Sequence, residues 1–207
     1  MPDQEQIHAR NIDVASSATI ANTMARVVRD PLIKHLRENA LRTDGPFQLR
    51  SGAVSDWYID ARQTTFDGRG ARLVGKAVLS VLHRDVLGVG GMTMGADPIA
   101  FATAMTAAEQ GRDLKAFSIR KEPKDHGLGG RLVGPVDKTM PVAILEDTTT
   151  TGEAAVEAAV FLLEEGFQIV QAIALVDRSG GKARENFARL DIPHLALVTP
   201  KDLGVEP

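Results

Sequence analysis

A-I-L-E-D-T-T-T-T-G-E, residues Ala143 to Glu153, joins an apolar run to two adjacent carboxylates and then to a hydroxyl-rich turn ending in glycine. Val142 to Leu145 is short, apolar and bounded by Pro141, which reads as a buried strand. Glu146 and Asp147 then fall at its carboxyl end, where open α/β sheets bind their ligands. Thr148 to Gly152 opens a helix, because Val156, Ala159, Val160 and Leu163 follow at helical spacing. The first backbone N–H groups of a helix accept anions, so those near Thr150, Thr151 and Gly152 suit a 5′-phosphate, and the carboxylates suit neighbouring ribose hydroxyls. The competing reading is an ordinary turn with capping threonines; adjacent carboxylates repel and are an odd choice for a cap alone.

Outward from this stretch the chain alternates. Val86 to Val89 reads as strand, Pro98 to Gln110 as helix, and Leu114 to Ile119 and Pro141 to Leu145 as strands; a helix and the strand Ile169 to Val176 follow. Such alternation predicts an α/β fold, a mostly parallel sheet covered by helices on both faces with ligands at the strand ends. Towards the N-terminus, residues 1–18 are polar without a sustained period and read as a loose tail. Thr19 caps a helix carrying Ile20, Met24, Val27 and Val28 on one face, and Asp30-Pro31 starts a second one reaching about Leu41. Phe47 to Arg50 and Trp57 to Asp60 are short strand candidates around Ser51-Gly52, and Arg72 to Leu82 reads as a helix. The expectation is one domain over residues 19–207, a small hood over 19–66 on a core over 67–207.

Composition agrees with a compact enzyme. At 207 residues and 43% hydrophobic the chain can bury a core without disulfides, and it has no cysteine to form any. A thiol nucleophile and iron–sulfur ligation are therefore excluded. The net charge of -3 gives no nucleic-acid footprint, and no basic-plus-apolar leader or long apolar run is visible, so a cytoplasmic protein without membrane or nucleic-acid partners is expected. Aromatic residues are only 4%, which singles out Trp57 and Tyr58, the sole Trp and the sole Tyr.

Arg120 to Thr139 interrupts the alternation with four glycines and two prolines, and loops of this length in compact domains are usually functional or disordered. It opens R-K-E-P-K-D-H-G, where Arg120, Lys121 and Lys124 against Glu122 and Asp125 leave +1 before any charge on His126. Such charges suit a departing pyrophosphate, and Gly127, Gly129 and Gly130 suit a segment that opens and closes; a solvated charge cluster is the plainer alternative for any one of them.

The acidic pair followed by threonines and glycine after an apolar strand resembles the ribose-phosphate loop of type I phosphoribosyltransferases. R-K-x-x-K-x-H-G narrows the resemblance to orotate phosphoribosyltransferases, being similar to their mobile catalytic loop. F-Q-L-R-S-G-A-V-S-D-W-Y-I-D, Phe47 to Asp60, resembles that family's hood, with arginine at position 50 where well-known members carry lysine. G-G-M-T-M-G-A-D-P-I-A, Gly90 to Ala100, is similar to its pyrophosphate loop, lacking a lysine that some members place there. Asp97 in this stretch reads better as an N-cap with Pro98 at N1 than as a ligand group. V-D-R-S-G-G, Val176 to Gly181, puts Arg178 where the family's arginine approaches orotate.

The resemblance, five ordered motifs over Phe47 to Gly181, implies transfer of a ribosyl phosphate from 5-phosphoribosyl-1-diphosphate to N1 of orotate. It implies Lys121, Lys124 and His126 as catalytic residues, and Arg120 with Glu146, Asp147, Thr148, Thr149, Thr150, Thr151, Gly152 and Glu153 around the diphosphate substrate. Thr93, Met94, Gly95 and Ala96 would cradle pyrophosphate, and Arg50, Tyr58, Thr150 and Arg178 would surround orotate. Magnesium is the implied cofactor, with no side chain assigned as a direct ligand and Glu146 and Asp147 meeting it through water. A homodimer sharing the loop 120–131 between subunits is implied too. The alternatives are a phosphoribosyltransferase for another base, which would leave the hood and Arg178 without a purpose, and a non-catalytic nucleotide- or RNA-binding regulator, which should lose the loop and gain a basic surface.

Overall fold

The computed structural model of the chain describes residues 27–48, 52, 54–123 and 130–206. The tail over 1–18, the start of the helix expected at Thr19, and Arg50, Ser51, Lys124, His126, Gly127 and Gly129 lie outside the described residues. In chain order the elements begin with α1 over residues 27–39. β1 (Leu41–Arg42), β2 (Phe47–Gln48), β3 (Val54–Ser55), β4 (Tyr58–Ile59) and α2 (Arg62–Thr65) follow, then α3 (Gly68–Val81). The core continues with β5 (Gly88–Met92), α4 (Ala96–Glu109), β6 (Lys115–Ile119), β7 (Leu132–Val133) and β8 (Val142–Thr149). It closes with α5 (Glu153–Glu164), β9 (Ile169–Asp177), α6 (Lys182–Ala188), β10 (His194–Val198) and α7 (Pro200–Leu203).

The six-stranded sheet runs β10-β9-β8-β5-β6-β7, parallel except for β7, which pairs antiparallel with β6 at the edge. From β5 the chain moves one way to β6, and from β8 it moves the other way to β9. The crevice beyond the carboxyl ends of β5 and β8 is thus the switch point where open α/β sheets take their ligands. Along β8, Val142 and Ile144 join one buried cluster with α5 and α6 residues, while Ala143 and Leu145 join the other with α1, α3 and α4 residues. That alternation buries the strand on both faces, as the sequence predicts for a covered parallel sheet.

Several boundaries differ from those expected. The strand expected over Val86 to Val89 is Gly88–Met92, because its glycines belong to the strand: a Cβ on Gly90 would sit 2.1 Å from the Phe117 carbonyl oxygen, and one on Gly91 2.2 Å from that of Leu145. Only glycine lets the neighbouring backbones come this close. Asp30-Pro31 does not start a helix, since α1 already includes residues 27–30. Pro31 is instead the fifth described helical residue, where its fixed φ suits the helix and its ring removes the one N–H that would have bonded the carbonyl of residue 27. α3 begins at Gly68 rather than Arg72, because the Asp67 carboxylate caps it by accepting from the amides of Arg69 and Gly70. In α5 the buried face is Ala155, Ala158, Ala159 and Leu162, while Val160 and Leu163 point outward.

The two strand candidates of the hood belong to separate two-stranded pairs. β2 pairs with β3, and β4 pairs with β1. Leu32 and Leu36 of α1 are fully buried, each contributing roughly 1.5–3 kcal/mol by burial. At the other end, Thr199 and Asp202 form a capping box on α7, and Asp202 also pairs with Arg29 of α1 at 2.5 Å. Among the described residues no helix is long and apolar enough to cross a membrane.

Candidate active site

The last β8–β5 pair is Ile144 with Gly90, whereas β8 stays paired to β9 as far as Thr149 and Asp177. The strand therefore runs past the acidic pair instead of stopping before it, and leaves Glu146 and Asp147 with a strand neighbour on one side only. On the open side lies the β5–α4 turn, Thr93 to Gly95, whose Thr93–Met94 peptide is cis. A Cβ on Gly95 would lie 2.8 Å from Asp147 Oδ1, so the turn abuts that carboxylate. The ribose-phosphate motif and the pyrophosphate-loop motif, more than fifty residues apart in the chain, thus share one crevice.

Asp97 is not the N-cap of α4. Gly95 holds that position, and the Asp97 carboxylate accepts from the Thr93 hydroxyl at 2.7 Å, with Oδ1 buried and unpartnered. The cause is that the helix begins two residues before Pro98, whose missing donor at the third position is no loss. The Thr93 amide is already used, donating to the Ile119 carbonyl at 2.8 Å. The turn's remaining amides, those of Met94, Gly95 and Ala96, stand at the start of α4, the end of a helix that suits anions.

The two carboxyls differ. Burial, followed by the hydrogen bond and charge of Asp147, raises Glu146 to about 8. Asp147 accepts from the Thr148 amide at 2.6 Å, and its own amide donates to Glu146 Oε1 at 3.2 Å. The four threonines also differ. Thr150 and Thr151 are exposed, Thr148 is half-buried, and Thr149 turns inward with its hydroxyl unpartnered. The Thr149 hydroxyl is thus not on the open turn, as its position in the motif suggested, because strand alternation sends it inward. Gly152 has φ 85°, and a Cβ there would meet Ala183 at 3.2 Å, so the turn into α5 needs glycine. Asn186 Nδ2 pins the turn by donating to the Thr151 carbonyl at 3.1 Å.

Arg178 follows β9, and its amide donates to the Thr149 carbonyl at 2.9 Å, which sets the V-D-R-S-G-G stretch beside the threonine-rich turn. Its guanidinium lies over the Trp57 ring, 4.1 Å from the centroid, and burial pulls it below the ordinary arginine value. Tyr58 is partly exposed beside Phe47, with ring centroids 5.9 Å apart. Lys121 is exposed and near enough to favour the ionised form of Glu146.

Sequence reasoning missed two arginines. Arg62, at the start of α2, pairs with Asp60 at 2.7 Å and feels the charge of Asp147. Arg62 and Asp60, with Gln63, Phe66, Asp67 and Met94, line a shallow cavity of about 550 Å³. Arg131 closes the base of the 120–131 loop: its Nε donates to the Arg120 carbonyl at 2.7 Å, and Arg120 returns its amide to the Arg131 carbonyl at 2.8 Å. The same guanidinium bonds Glu157 at 2.5 Å and lies over the Phe161 ring of α5. Neither residue belongs to a motif, and their partners are read only from the folded chain.

The architecture is that of the type I phosphoribosyltransferases: a parallel sheet flanked by helices with its crevice at the β5–β8 switch point. No protein-family model matches the chain. It is 38% identical to the orotate phosphoribosyltransferase of Streptomyces avermitilis over 180 residues, 86% of this chain and 98% of that protein. It is 37% identical to that of Aquifex aeolicus over 183 residues, 87% of this chain and 100% of the other. Among solved structures, the Mycobacterium tuberculosis orotate phosphoribosyltransferase in complex with 5-phospho-alpha-D-ribosyl 1-diphosphate superposes with a TM-score of 0.72 at 28% identity, covering 86% of this chain and 99% of that one. The chain belongs to the orotate phosphoribosyltransferase family and is a pentosyl-transferring enzyme.

Proposed function

We infer that the chain catalyses the reaction for which its family is named, moving the ribosyl phosphate of 5-phosphoribosyl-1-diphosphate to N1 of orotate. Orotidine 5′-monophosphate and pyrophosphate are the products, and UMP synthesis is the use. The observation that carries this reading is the contact between Gly95 and the Asp147 carboxylate, since it puts a pyrophosphate-type turn and a ribose-type carboxylate in one crevice.

In the reaction the bond from the anomeric carbon to the pyrophosphate oxygen breaks, and a bond from that carbon to N1 forms. Positive charge grows on the sugar and negative charge on the leaving group, so preorganised electrostatics matter more than a nucleophile. The turn Thr148 to Gly152, with Glu153 behind it, holds the 5′-phosphate through its backbone, and Glu146 and Asp147 orient the ribose hydroxyls. The amides of Met94 to Ala96 receive the pyrophosphate, with Arg120, Lys121, Lys124 and His126 supplying positive charge from the loop. Arg178, aided by Arg50, Tyr58 and Thr150, reads the base.

Magnesium fits the crevice. Magnesium commonly takes one or two carboxylates plus substrate phosphates, and Glu146 and Asp147 offer such a pair beside the Thr93–Gly95 turn. Glu146 and Asp147 would meet it through water, and when bound it would neutralise the diphosphate oxygens. A second copy of the chain is supported by α4, which leaves Phe101 58% and Met105 68% exposed one turn apart. In such a dimer the loop 120–131 would reach the partner's site.

The test is product formation by the purified chain. Orotidine 5′-monophosphate and pyrophosphate should appear in equal amounts, only with both substrates, and should stop on chelation of magnesium. Product from a purine base but none from orotate would overturn the reading.

A further inference from the structure

Trp57 is buried to 6% exposure and is held from two sides. Its indole Nε1 donates to the backbone carbonyl of Glu206 at 2.7 Å, and its own carbonyl accepts from the Ser55 hydroxyl at 2.8 Å. Upon this fixed ring rests the Arg178 guanidinium, 4.1 Å from the centroid. Among the described residues no carboxylate bears on Arg178. A guanidinium this close to a ring centroid makes a cation–π contact, which leaves N–H donors free to form the fork that matches a carboxylate. Ring and tether together thus fix a long side chain in one orientation with its hydrogen-bonding edge unused.

We propose that Trp57 is a positioning residue for base recognition, an indole platform tethered by the Glu206 carbonyl that orients Arg178 towards the carboxylate of the acceptor base. This rests on the assignment of Arg178 to orotate made above. The residue touches Arg178 and not the reacting atoms, so its effect falls on the acceptor base and not on the diphosphate substrate.

The experiment is steady-state kinetics of Trp57→Leu, Trp57→Phe and Arg178→Ala against both substrates, with the emission of the single tryptophan followed during orotate titration. Loss of a desolvated cation–π platform in Trp57→Leu should raise KM for orotate on the order of tenfold and move KM for the diphosphate by less than about twofold. Trp57→Phe keeps a ring face and should recover most of that loss. Orotate should shift the emission maximum of the wild-type protein and not that of Arg178→Ala. An unchanged orotate KM in Arg178→Ala would sink the Arg178 assignment itself. A raised orotate KM in Arg178→Ala, beside a Trp57→Leu that leaves it unchanged or raises both KM values equally, would sink the platform alone. If Trp57→Leu does not fold, Trp57→Phe and the emission shift decide: a constant emission maximum in the wild type on saturation with orotate overturns the proposal.

Discussion

Glu146 is the residue whose surroundings oppose its charge most openly. Its carboxyl is raised from the ordinary 4.5 to about 8 by burial and by Asp147, so the folded state holds a proton that the unfolded chain releases. A carboxyl raised in this way contributes stability that is complete below the unfolded value and is lost as pH climbs towards 8. Without substrate or magnesium the melting temperature should fall between pH 5 and pH 8, and Glu146→Gln should flatten that slope. At pH 8 the variant should be the more stable by roughly 2–5 kcal/mol, from about 1.4 kcal/mol per pKa unit. Thermal melts in a chelator check it, and a glutamine variant no more stable than wild type at pH 8 would contradict the assignment. The carboxylate pair was legible in the sequence because two adjacent acids after an apolar run have few structural uses. Arg62 was not legible, since its relation to Asp147 arises only when the hood folds over the crevice.

At the scale of elements, those with a strong period were legible and those set by distant partners were not. The strands Lys115–Ile119 and Ile169–Asp177 lie within a residue of expectation, because each is a short, mostly apolar run rich in Ile, Val and Phe. The face of α5 was misread because it is built on alanines: Ala155, Ala158 and Ala159 pack inward while the larger Val160 and Leu163 stay outside. The edge strand β7 has only two residues, and is set by the pairing of Leu132 with Ile119 rather than by any period. Next to it, Arg131 ties the loop base to α5 through Glu157 and Phe161. Removing a charge-assisted hydrogen bond and a cation–π contact in Arg131→Ala should cost about 1–3 kcal/mol in urea denaturation. A loss below roughly 0.5 kcal/mol, the range of an ordinary surface change, would show the tie to be incidental.

For the whole molecule, the sequence revealed the alternation and the order of the motifs, from which the doubly covered sheet follows. It did not reveal which strands flank the crevice, because the order β9-β8-β5-β6 is a property of the crossovers and not of any one segment. The assembly was not legible in composition either. The proposed dimer, resting on exposed Phe101 and Met105 of α4, predicts that Phe101→Glu shifts the mass towards that of a monomer. Light scattering coupled to gel filtration reads this directly, and an unshifted mass would remove α4 from the interface.

Selection of orotate by its carboxylate, the core of the proposed function, is read from the ratio of kcat/KM for orotate to that for uracil with the same diphosphate substrate. A half-buried guanidinium left unpaired by uracil should make the ratio about 10⁴ or more, and Arg178→Ala should collapse it by lowering orotate use without improving uracil use. A wild-type enzyme that uses uracil within about tenfold of orotate, the discrimination expected of a pocket reading shape alone, would contradict it.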